Sequence, residues 1–135
     1  MAELLITAQT ENLDEVLAFV DEQLEKVGCS MKIQMQIDLA VEEIFVNISH
    51  YAYSPEIGMA NINVEVTQNP LSVSLTFVDQ GVPYDPLEKV DPDTTLSAEE
   101  RDIGGLGIFM VKKNMDDVCY EYKDGQNILS LRKQL

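Results

Sequence analysis

Three groups of residues in this sequence have types and spacings that are suited to binding a ligand or to catalysis. Glu43 and Asn47 lie four residues apart, Asp79 lies two residues before Gly81, and three glycines fall within positions 104–107. A carboxylate and an amide on one helical face could meet a ligand, and an ionised carboxylate suits a donor such as the adenine amine. Glycine lets backbone approach a ligand closely, so the three groups indicate a candidate binding site.

The pair Glu43 and Asn47 falls in a segment whose apolar spacing predicts a helix over residues 31–52. Residues at i and i+4 share a face of a helix, whereas Glu42 is rotated by about 100° and is expected to point toward solvent. Glu43 is therefore the better candidate for chemistry. The alternative is a hydrogen bond between Glu43 and Asn47 on the helix surface, which is the commoner role for such a pair taken alone.

Asp79 closes a predicted strand, and Gly81 stands at the start of a long loop. Binding residues often lie at such positions, because the strand supplies a rigid support. The alternative is an Asx turn, in which the Asp79 side chain binds nearby backbone and Gly81 supplies turn geometry.

The glycine cluster precedes a strongly helical sequence, and we expect the helix to begin near Leu106. The exposed amides at the start of such a helix could hold an anion. Arg101, Lys112 and Lys113 lie beside the glycines, where a nucleotide would need local positive charge. The alternative is a flexible loop that only starts a helix.

The remaining pattern predicts a strand over residues 3–9 and an amphipathic helix over 13–27, with Asn12 as its N-cap and Gly28 at its C-terminal end. Two β-hairpins are predicted over 60–79 and 117–135. Residues 81–104 contain three prolines and little apolar periodicity, which is typical of a loop or lid. The element order implies an α+β fold, a two-layer α/β sandwich with helices on one face of a mostly antiparallel sheet.

Length, charge and composition limit the function. The 135 residues are expected to form a single domain over 1–135. A formal net charge of −15 opposes binding to nucleic acid. The sequence shows neither a membrane-spanning apolar run nor a basic and apolar leader, so we expect a cytoplasmic protein without a membrane partner. Two cysteines without companions at metal-ligand spacing argue against a metal–thiolate site.

Together, the three groups resemble the GHKL ATPase superfamily, whose ATP sites combine an E-x-x-x-N helix, a D-x-G-x-G segment and a G-x-G segment separated by a mobile lid. Within it, the sequence resembles the anti-sigma-factor serine kinases of bacterial partner-switching pathways. The resemblance covers nearly the whole chain and rests on VEEIFVNISHYAY, VDQGVPYDP and GGLGIFMVKKNMDDVCYEYKDGQNILSLRK. It implies the GHKL type of sandwich, with ATP and Mg²⁺ as cofactors.

The resemblance also implies a role for each residue of the first two groups. By analogy with the family, Asn47 is a ligand of Mg²⁺, and Glu43 is the base that prepares the accepting hydroxyl. Asp79 would bind the adenine amine, while Gly81 would let the base lie close.

At the triphosphate side, Gly105, Leu106 and Gly107 match the G-x-G segment of the family. Arg101, in the lid, would neutralise charge on the terminal phosphate.

The sequence departs from the family pattern at two positions. Pro83 stands where the second glycine of D-x-G-x-G often occurs, and Tyr51 stands where a histidine often follows the helix asparagine by four residues. His50 is displaced by one position, or about 100° around a helix, so we expect it to be a structural or surface residue.

The function implied by the resemblance is that of an ATP-dependent anti-sigma factor with serine-protein kinase activity. Its expected partners are a sigma factor and an anti-anti-sigma antagonist of the STAS type, and the resemblance also implies a homodimer. The alternative is a nucleotide-gated protein-binding module that transfers no phosphate. A sensor histidine-kinase catalytic domain fits less well, because there is no room for the helical module that carries its phospho-accepting histidine.

Overall fold

The computed structural model describes residues 1–53, 56–88 and 103–135. Arg101 and much of the predicted lid lie outside these ranges. The helices and strands follow the predicted order, with β1 at Ala2–Thr7, α1 at Leu13–Glu25, α2 at Met31–Asn47, β2 at Met59–Thr67, β3 at Ser72–Asp79, α3 at Ile103–Asn114, β4 at Asp117–Lys123 and β5 at Gln126–Gln134.

The five strands form one sheet in the order β1-β2-β3-β5-β4, and every neighbouring pair is antiparallel. One face of the sheet and the apolar faces of the helices contribute to a single buried cluster. The predicted α+β sandwich is therefore confirmed, and β3 and β5 are neighbouring strands in the interior of the sheet.

The inward face of β3 ends in a charged residue. Val73, Leu75 and Phe77 are buried, and Asp79 continues the same alternation at the end of the strand. On β5, Asn127 continues the inward row of Leu129 and Leu131 in the same way. These polar residues are register partners across the two strands, so the sheet places an amide beside the carboxylate at the edge of the core.

The helix of Glu43 and Asn47 spans the predicted residues 31–52, and its type changes along this range. Ser30 caps α2, because its side chain accepts a hydrogen bond of 3.3 Å from the amide of Ile33. The α-helix ends at Asn47 and continues as a wider π-helical turn over Ile48–Ala52. Turns of this kind often occur at functional sites.

Two predictions about helix ends need correction. α3 begins at Ile103 and not near Leu106, so the glycines lie within the first turns of the helix and not in a loop before it. Asn12 precedes α1 as predicted, but its side chain donates to the carbonyl and hydroxyl oxygens of Thr7 and makes no capping bond. Gly28 does adopt the predicted left-handed conformation, with φ of 69°.

Within the part of the chain that the structure describes, no helix combines the length and the apolarity needed to cross a lipid bilayer.

A pair of carboxyl groups lies between α1 and α2. Asp21 and Asp38 each have one carboxyl oxygen that is shielded from solvent and lacks a hydrogen-bond partner in the described structure. Burial raises the pKa of Asp38 to about 8, and the hydrogen bond and like charge of Asp21 add to the rise. A hydrogen bond between two carboxyl groups requires a proton on one of them, because an ionised carboxylate only accepts hydrogen bonds. The pair therefore holds a shared proton at neutral pH.

This proton predicts how stability depends on pH. An aspartate in the unfolded chain releases its proton near pH 4, whereas Asp38 in the folded chain retains it up to about pH 8. Between these values the folded state binds more protons, so the free energy of unfolding falls as pH rises. Asp38→Asn removes the charge, and we expect its stability relative to wild type to increase from about pH 5 to about pH 8.

Urea unfolding of both proteins across this pH range measures the effect. The exposed Asp14 on α1 offers a matched control, since Asp14→Asn makes the same change in charge away from the pair. Parallel pH profiles for wild type and Asp38→Asn would show that no proton is shared.

Candidate functional site

The carboxylate of Asp79 is held in one orientation by protein donors. Asp79 is 5% exposed, and its Oδ1 accepts hydrogen bonds of 2.9 Å from the Gly81 amide and 2.9 Å from Asn127 Nδ2. The Asx turn that the sequence left as an alternative is therefore present. It is compatible with ligand binding, because both of these donors bond the same carboxylate oxygen.

Asn127 is the site residue that sequence reasoning missed. Its Nδ2 also donates to the Val82 carbonyl at 2.9 Å, and its Oδ1 accepts from the Tyr84 amide at 3.2 Å. The Tyr120 hydroxyl of β4 donates to the same Oδ1. One buried amide thus joins Asp79, the segment after it and β4. Its position as a polar residue on the inward face of β5 was the available signal.

Tyr120 acts as a neutral donor in this network. Burial raises the pKa of its phenol, and the charges of Asp85 and Asp79 add to the rise, while the hydrogen bond with the Tyr84 amide opposes it. The hydroxyl therefore keeps its proton over the ordinary pH range.

Asp79 and Asn47 face one cavity. Its lining comes from α2, the π-helical turn, the sheet and the segment after β3, and it includes Tyr84, Pro86 and Asn127. The free space is about 30 Å³, enough for roughly one water molecule. Sites for small ligands usually measure roughly 300–1,000 Å³, so this cavity is too small for a ligand the size of a nucleobase.

Glu43 and Asn47 are joined by the hydrogen bond that the sequence allowed as the structural alternative. Asn47 Nδ2 donates to Glu43 Oε1 at 3.2 Å. Glu43 is half-buried, whereas Glu42 is exposed, as their positions on the helix predicted. The bond connects the carboxylate of Glu43 to the residue that lines the Asp79 cavity.

Gly107 lies directly against Glu43. A Cβ atom at Gly107 would overlap the Glu43 carboxylate, so the absence of a side chain at residue 107 leaves the space that this carboxylate occupies. Gly105 and Leu106 belong to the preceding turn of α3. The structure thus brings Glu43, Asn47, Asp79 and Gly107 into one region, while Arg101 lies outside the described residues.

Gly81 is required by the protein's own backbone. A Cβ at this position would overlap the carbonyl group of Ala52, and the Val82 amide donates to that carbonyl at 2.9 Å. The Tyr53 hydroxyl supports the same segment, because it accepts from the Gln80 amide at 2.7 Å and donates to the Met59 carbonyl at 2.7 Å. These contacts hold the end of β3 against the end of the π-helical turn.

Of the two aromatic residues at positions 50 and 51, Tyr51 contacts a residue that lines the cavity. His50 is exposed, as expected for a surface residue. The ring of Tyr51 contacts the ring of Tyr84, with 5.6 Å between their centroids. Tyr51 therefore packs against one of the residues that line the cavity.

The described residues include no cluster of three or more His, Cys, Asp or Glu side chains that could hold a metal ion. A site built mainly from protein carboxylates is therefore absent from this part of the chain. A cation held by one amide oxygen and by a bound ligand is a different arrangement, and Asn47 has an oxygen of the required type.

Sequence comparison identifies relatives along nearly the whole chain. Residues 6–133 match the family described as Histidine kinase-like ATPase domain. The chain is 28% identical over 129 residues to Serine/threonine-protein kinase BtrW of Bordetella bronchiseptica, covering 96% of this chain and 89% of that protein. It is 28% identical over 109 residues to Serine-protein kinase RsbW of Listeria monocytogenes, covering 77% and 68% of the two chains.

Solved structures share the fold. The crystal structure of the RsbU and RsbW domains of a Mycobacterium tuberculosis protein aligns with a TM-score of 0.69 at 16% identity, covering 100% of this chain and 33% of that longer chain. The SiaB–SiaC complex of Pseudomonas aeruginosa aligns with a TM-score of 0.57 at 16% identity, covering 98% and 89%. As the GHKL-type motifs predicted, this chain belongs to the Histidine kinase-like ATPase domain family.

Proposed function

We propose that this chain binds ATP and transfers its terminal phosphoryl group to a serine of a partner protein. One observation carries the proposal: Asn47 lines the cavity of Asp79 and is hydrogen-bonded to Glu43. Through Asn47, α2 thereby connects the Asp79 carboxylate, which can accept a hydrogen bond from an adenine amine, with the Glu43 carboxylate, which can accept a proton from a hydroxyl. The family match and the relatives named serine-protein kinases support it.

Asp79 is proposed to recognise the adenine amine. Its Oδ1 already accepts two donors from the protein, which orients the carboxylate and leaves Oδ2 as the atom for the base. Tyr84 and Pro86 would move outward to admit the base. Because Gly81 has no side chain, the Ala52 backbone can contact the start of the segment that carries Tyr84 and Pro86.

Asn47 is proposed to hold Mg²⁺ through its side-chain oxygen. Its nitrogen is engaged by Glu43, so the oxygen is the polar atom that remains for a cation. Mg²⁺ prefers oxygen ligands and keeps several waters and phosphate oxygens, so one protein ligand is sufficient. Bound there, the ion would neutralise part of the negative charge on the phosphates.

Glu43 is proposed to accept the proton of the serine hydroxyl. In the balanced reaction a bond forms between the serine oxygen and the terminal phosphorus, and the bond from that phosphorus to ADP breaks. Gly105 lies in the first turn of α3, whose backbone amides have no acceptor within the helix and would bind the phosphates, and Leu106 and Gly107 complete the G-x-G segment beside them. Arg101 would add positive charge.

The proposed partners are a sigma factor and an anti-anti-sigma antagonist of the STAS type. One structural neighbour is a two-protein complex of SiaB with SiaC, which supports binding to a partner protein. We further propose that residues 1–135 form one domain, that the protein acts in the cytoplasm and that it forms a homodimer.

Two measurements on one sample test this function. Calorimetry with ATP, with and without Mg²⁺, measures binding, and labelled ATP with the candidate antagonist measures transfer to serine. Binding with transfer supports the kinase. Failure to bind ATP in a folded sample would contradict the proposal.

A nucleotide-gated binding module is the second candidate, and the small cavity at Asp79 favours it. Because a nucleobase must displace Tyr84 and Pro86, ATP binding is expected to reshape the surface around Tyr51. If ATP changes affinity for the antagonist while no labelled phosphate appears on it, this second function applies.

Gly107→Ala is expected to separate activity from stability. Alanine favours a helix over glycine by roughly 0.5–1 kcal/mol, and the clashing atoms belong to the flexible end of Glu43, which can move away. The unfolding midpoint should therefore stay equal or rise, while displacement of Glu43 lowers phosphoryl transfer. Thermal unfolding and the transfer assay measure the two effects, and wild-type transfer in the variant would contradict the role of this contact.

A further inference from the structure

A row of exposed apolar side chains runs along α2 away from the candidate site. Met31, Met35 and Leu39 are 73%, 59% and 55% exposed, and their spacing of four residues places them on one face of the helix. Isolated exposed apolar residues are common on protein surfaces, whereas a continuous row marks an interaction site. Methionine adapts its shape to different partners, which suits a recognition surface.

This row leads into a groove between α2 and α3. The groove has a volume of about 490 Å³, and its lining includes Leu39, Val46 and the exposed Met110 of α3. Glu43, packed against Gly107, also lines it. The groove therefore opens onto the carboxylate to which the proposed function assigns the serine proton.

The charge of the groove's lining residues determines which kind of peptide segment binds there favourably. Among the described residues that line it, the ionisable ones are Glu42 and Glu43, and none is a lysine or an arginine. The whole chain carries a formal net charge of −15. An acidic segment would be repelled, whereas a segment with basic side chains beside apolar ones would be complementary.

We propose that this groove docks the serine-bearing segment of the partner protein, and that this segment carries apolar and basic side chains. The inference rests on the proposed function, since it places the acceptor serine at Glu43. From Glu43 to Met31 the helix rises by about 18 Å, which an extended segment of about five or six residues covers. Apolar side chains of the segment would pack on Met31, Met35 and Leu39.

The test uses a fluorescent peptide of about twelve residues with one serine, flanked by alternating leucine and lysine. Binding to the full chain is measured by fluorescence anisotropy. Met35→Gln/Leu39→Gln makes the row polar without changing charge, and glutamine is a good helix former. We expect this variant to bind the peptide at least about tenfold more weakly than wild type.

Leu5→Gln/Met59→Gln is the matched control, because both side chains are exposed and belong to β1 and β2, away from the groove. It should bind the peptide with wild-type affinity. Equal affinity of all three proteins, or no binding to wild type, would overturn the docking site. A second peptide with glutamate in place of lysine should bind about tenfold more weakly, and equal binding of the two peptides would overturn the charge assignment.

A second copy of this chain is the main competing occupant. Sedimentation velocity distinguishes it: a wild-type dimer that dissociates in Met35→Gln/Leu39→Gln would overturn the proposal in favour of self-association. ATP calorimetry on the same samples separates this inference from the proposed function. Peptide binding without ATP binding would contradict only the function, whereas phosphoryl transfer with unchanged peptide affinity in the groove variant would contradict only the docking site.

Discussion

Glu43→Gln is expected to lower phosphoryl transfer to serine by about 10²- to 10⁴-fold while ATP affinity stays at the wild-type value. Glutamine has nearly the same shape, and its side-chain oxygen can still accept the hydrogen bond that Asn47 Nδ2 donates at 3.2 Å. Asn47 therefore keeps its position. The amide cannot accept a proton from the hydroxyl, so the loss falls on the chemical step and not on nucleotide binding.

The neighbouring residue supplies the control for this variant. Glu42 lines the same groove but is exposed, and Glu42→Gln makes the same change in charge. At a saturating concentration of the partner protein, we expect its transfer rate to stay near the wild-type rate, because Glu42 contributes charge to docking and takes no part in the chemical step. Single-turnover transfer from labelled ATP, measured beside calorimetry, distinguishes the two variants. Wild-type transfer by Glu43→Gln would remove Glu43 as the base, and an equal loss in both variants would point to a general effect of charge.

Local patterns predicted the strands and most of the helices because the physics involved is local. In the turn between β4 and β5, Asp124 and Gly125 both have positive φ, 55° and 78°, which aspartate and glycine tolerate. Alternating side chains then determine which face of each strand is buried. The same alternation placed Asp79 at the inward end of β3, so its likeness to a site residue was visible in the sequence.

The start of α3 could not be predicted from its own residues. Glycine disfavours a helix, so the sequence indicated a loop up to Leu106. The structure includes the glycines in the helix, and at Gly107 the space that a side chain would fill is taken by Glu43 of α2. This contact joins two residues far apart in sequence, and no local pattern reports it.

Asn127 and Asn12 show the same limit for polar side chains. Asn127 falls within the hairpin predicted over 117–135, and strand register places it opposite Asp79, where it becomes the centre of the hydrogen-bond network. Asn12 had the composition of an N-cap, but Thr7 of β1 offers its side chain two acceptors. In both cases the hydrogen-bond partner of the asparagine side chain depends on which strand lies beside it, and residue type alone does not determine it.

Asp79→Asn is expected to reverse how the site reads the base of a nucleotide. In wild type, the Gly81 amide and Asn127 Nδ2 both donate to Oδ1 at 2.9 Å. An asparagine keeps these bonds only if its oxygen takes the place of Oδ1, which turns its NH₂ group toward the cavity. That donor would face the donor amine of adenine, and the loss of a charged hydrogen bond should weaken ATP binding by about 10- to 100-fold.

Inosine triphosphate separates base recognition from damage to the pocket. It carries an oxygen at the position of the adenine amine. This acceptor is repelled by the Asp79 carboxylate but can bond the NH₂ group that the Asp79→Asn substitution introduces. The ratio of ATP to inosine triphosphate affinity should therefore fall in the variant. Asp85→Asn is the control, since Asp85 also accepts a backbone amide, that of Leu87 at 2.8 Å, in the segment after β3.

Calorimetry with both nucleotides on wild type, Asp79→Asn and Asp85→Asn decides the assignment. We expect Asp85→Asn to keep the wild-type preference for ATP, because its carboxylate serves a turn and not the base. If folded Asp79→Asn bound ATP as tightly as wild type, Asp79 would lie outside the site. If it lost affinity for both nucleotides equally, Asp79 would support the pocket through Gly81 and Asn127 without reading the amine. A reversed preference is the result that only direct contact between residue 79 and the base produces, because the two nucleotides differ there in whether they donate or accept a hydrogen bond.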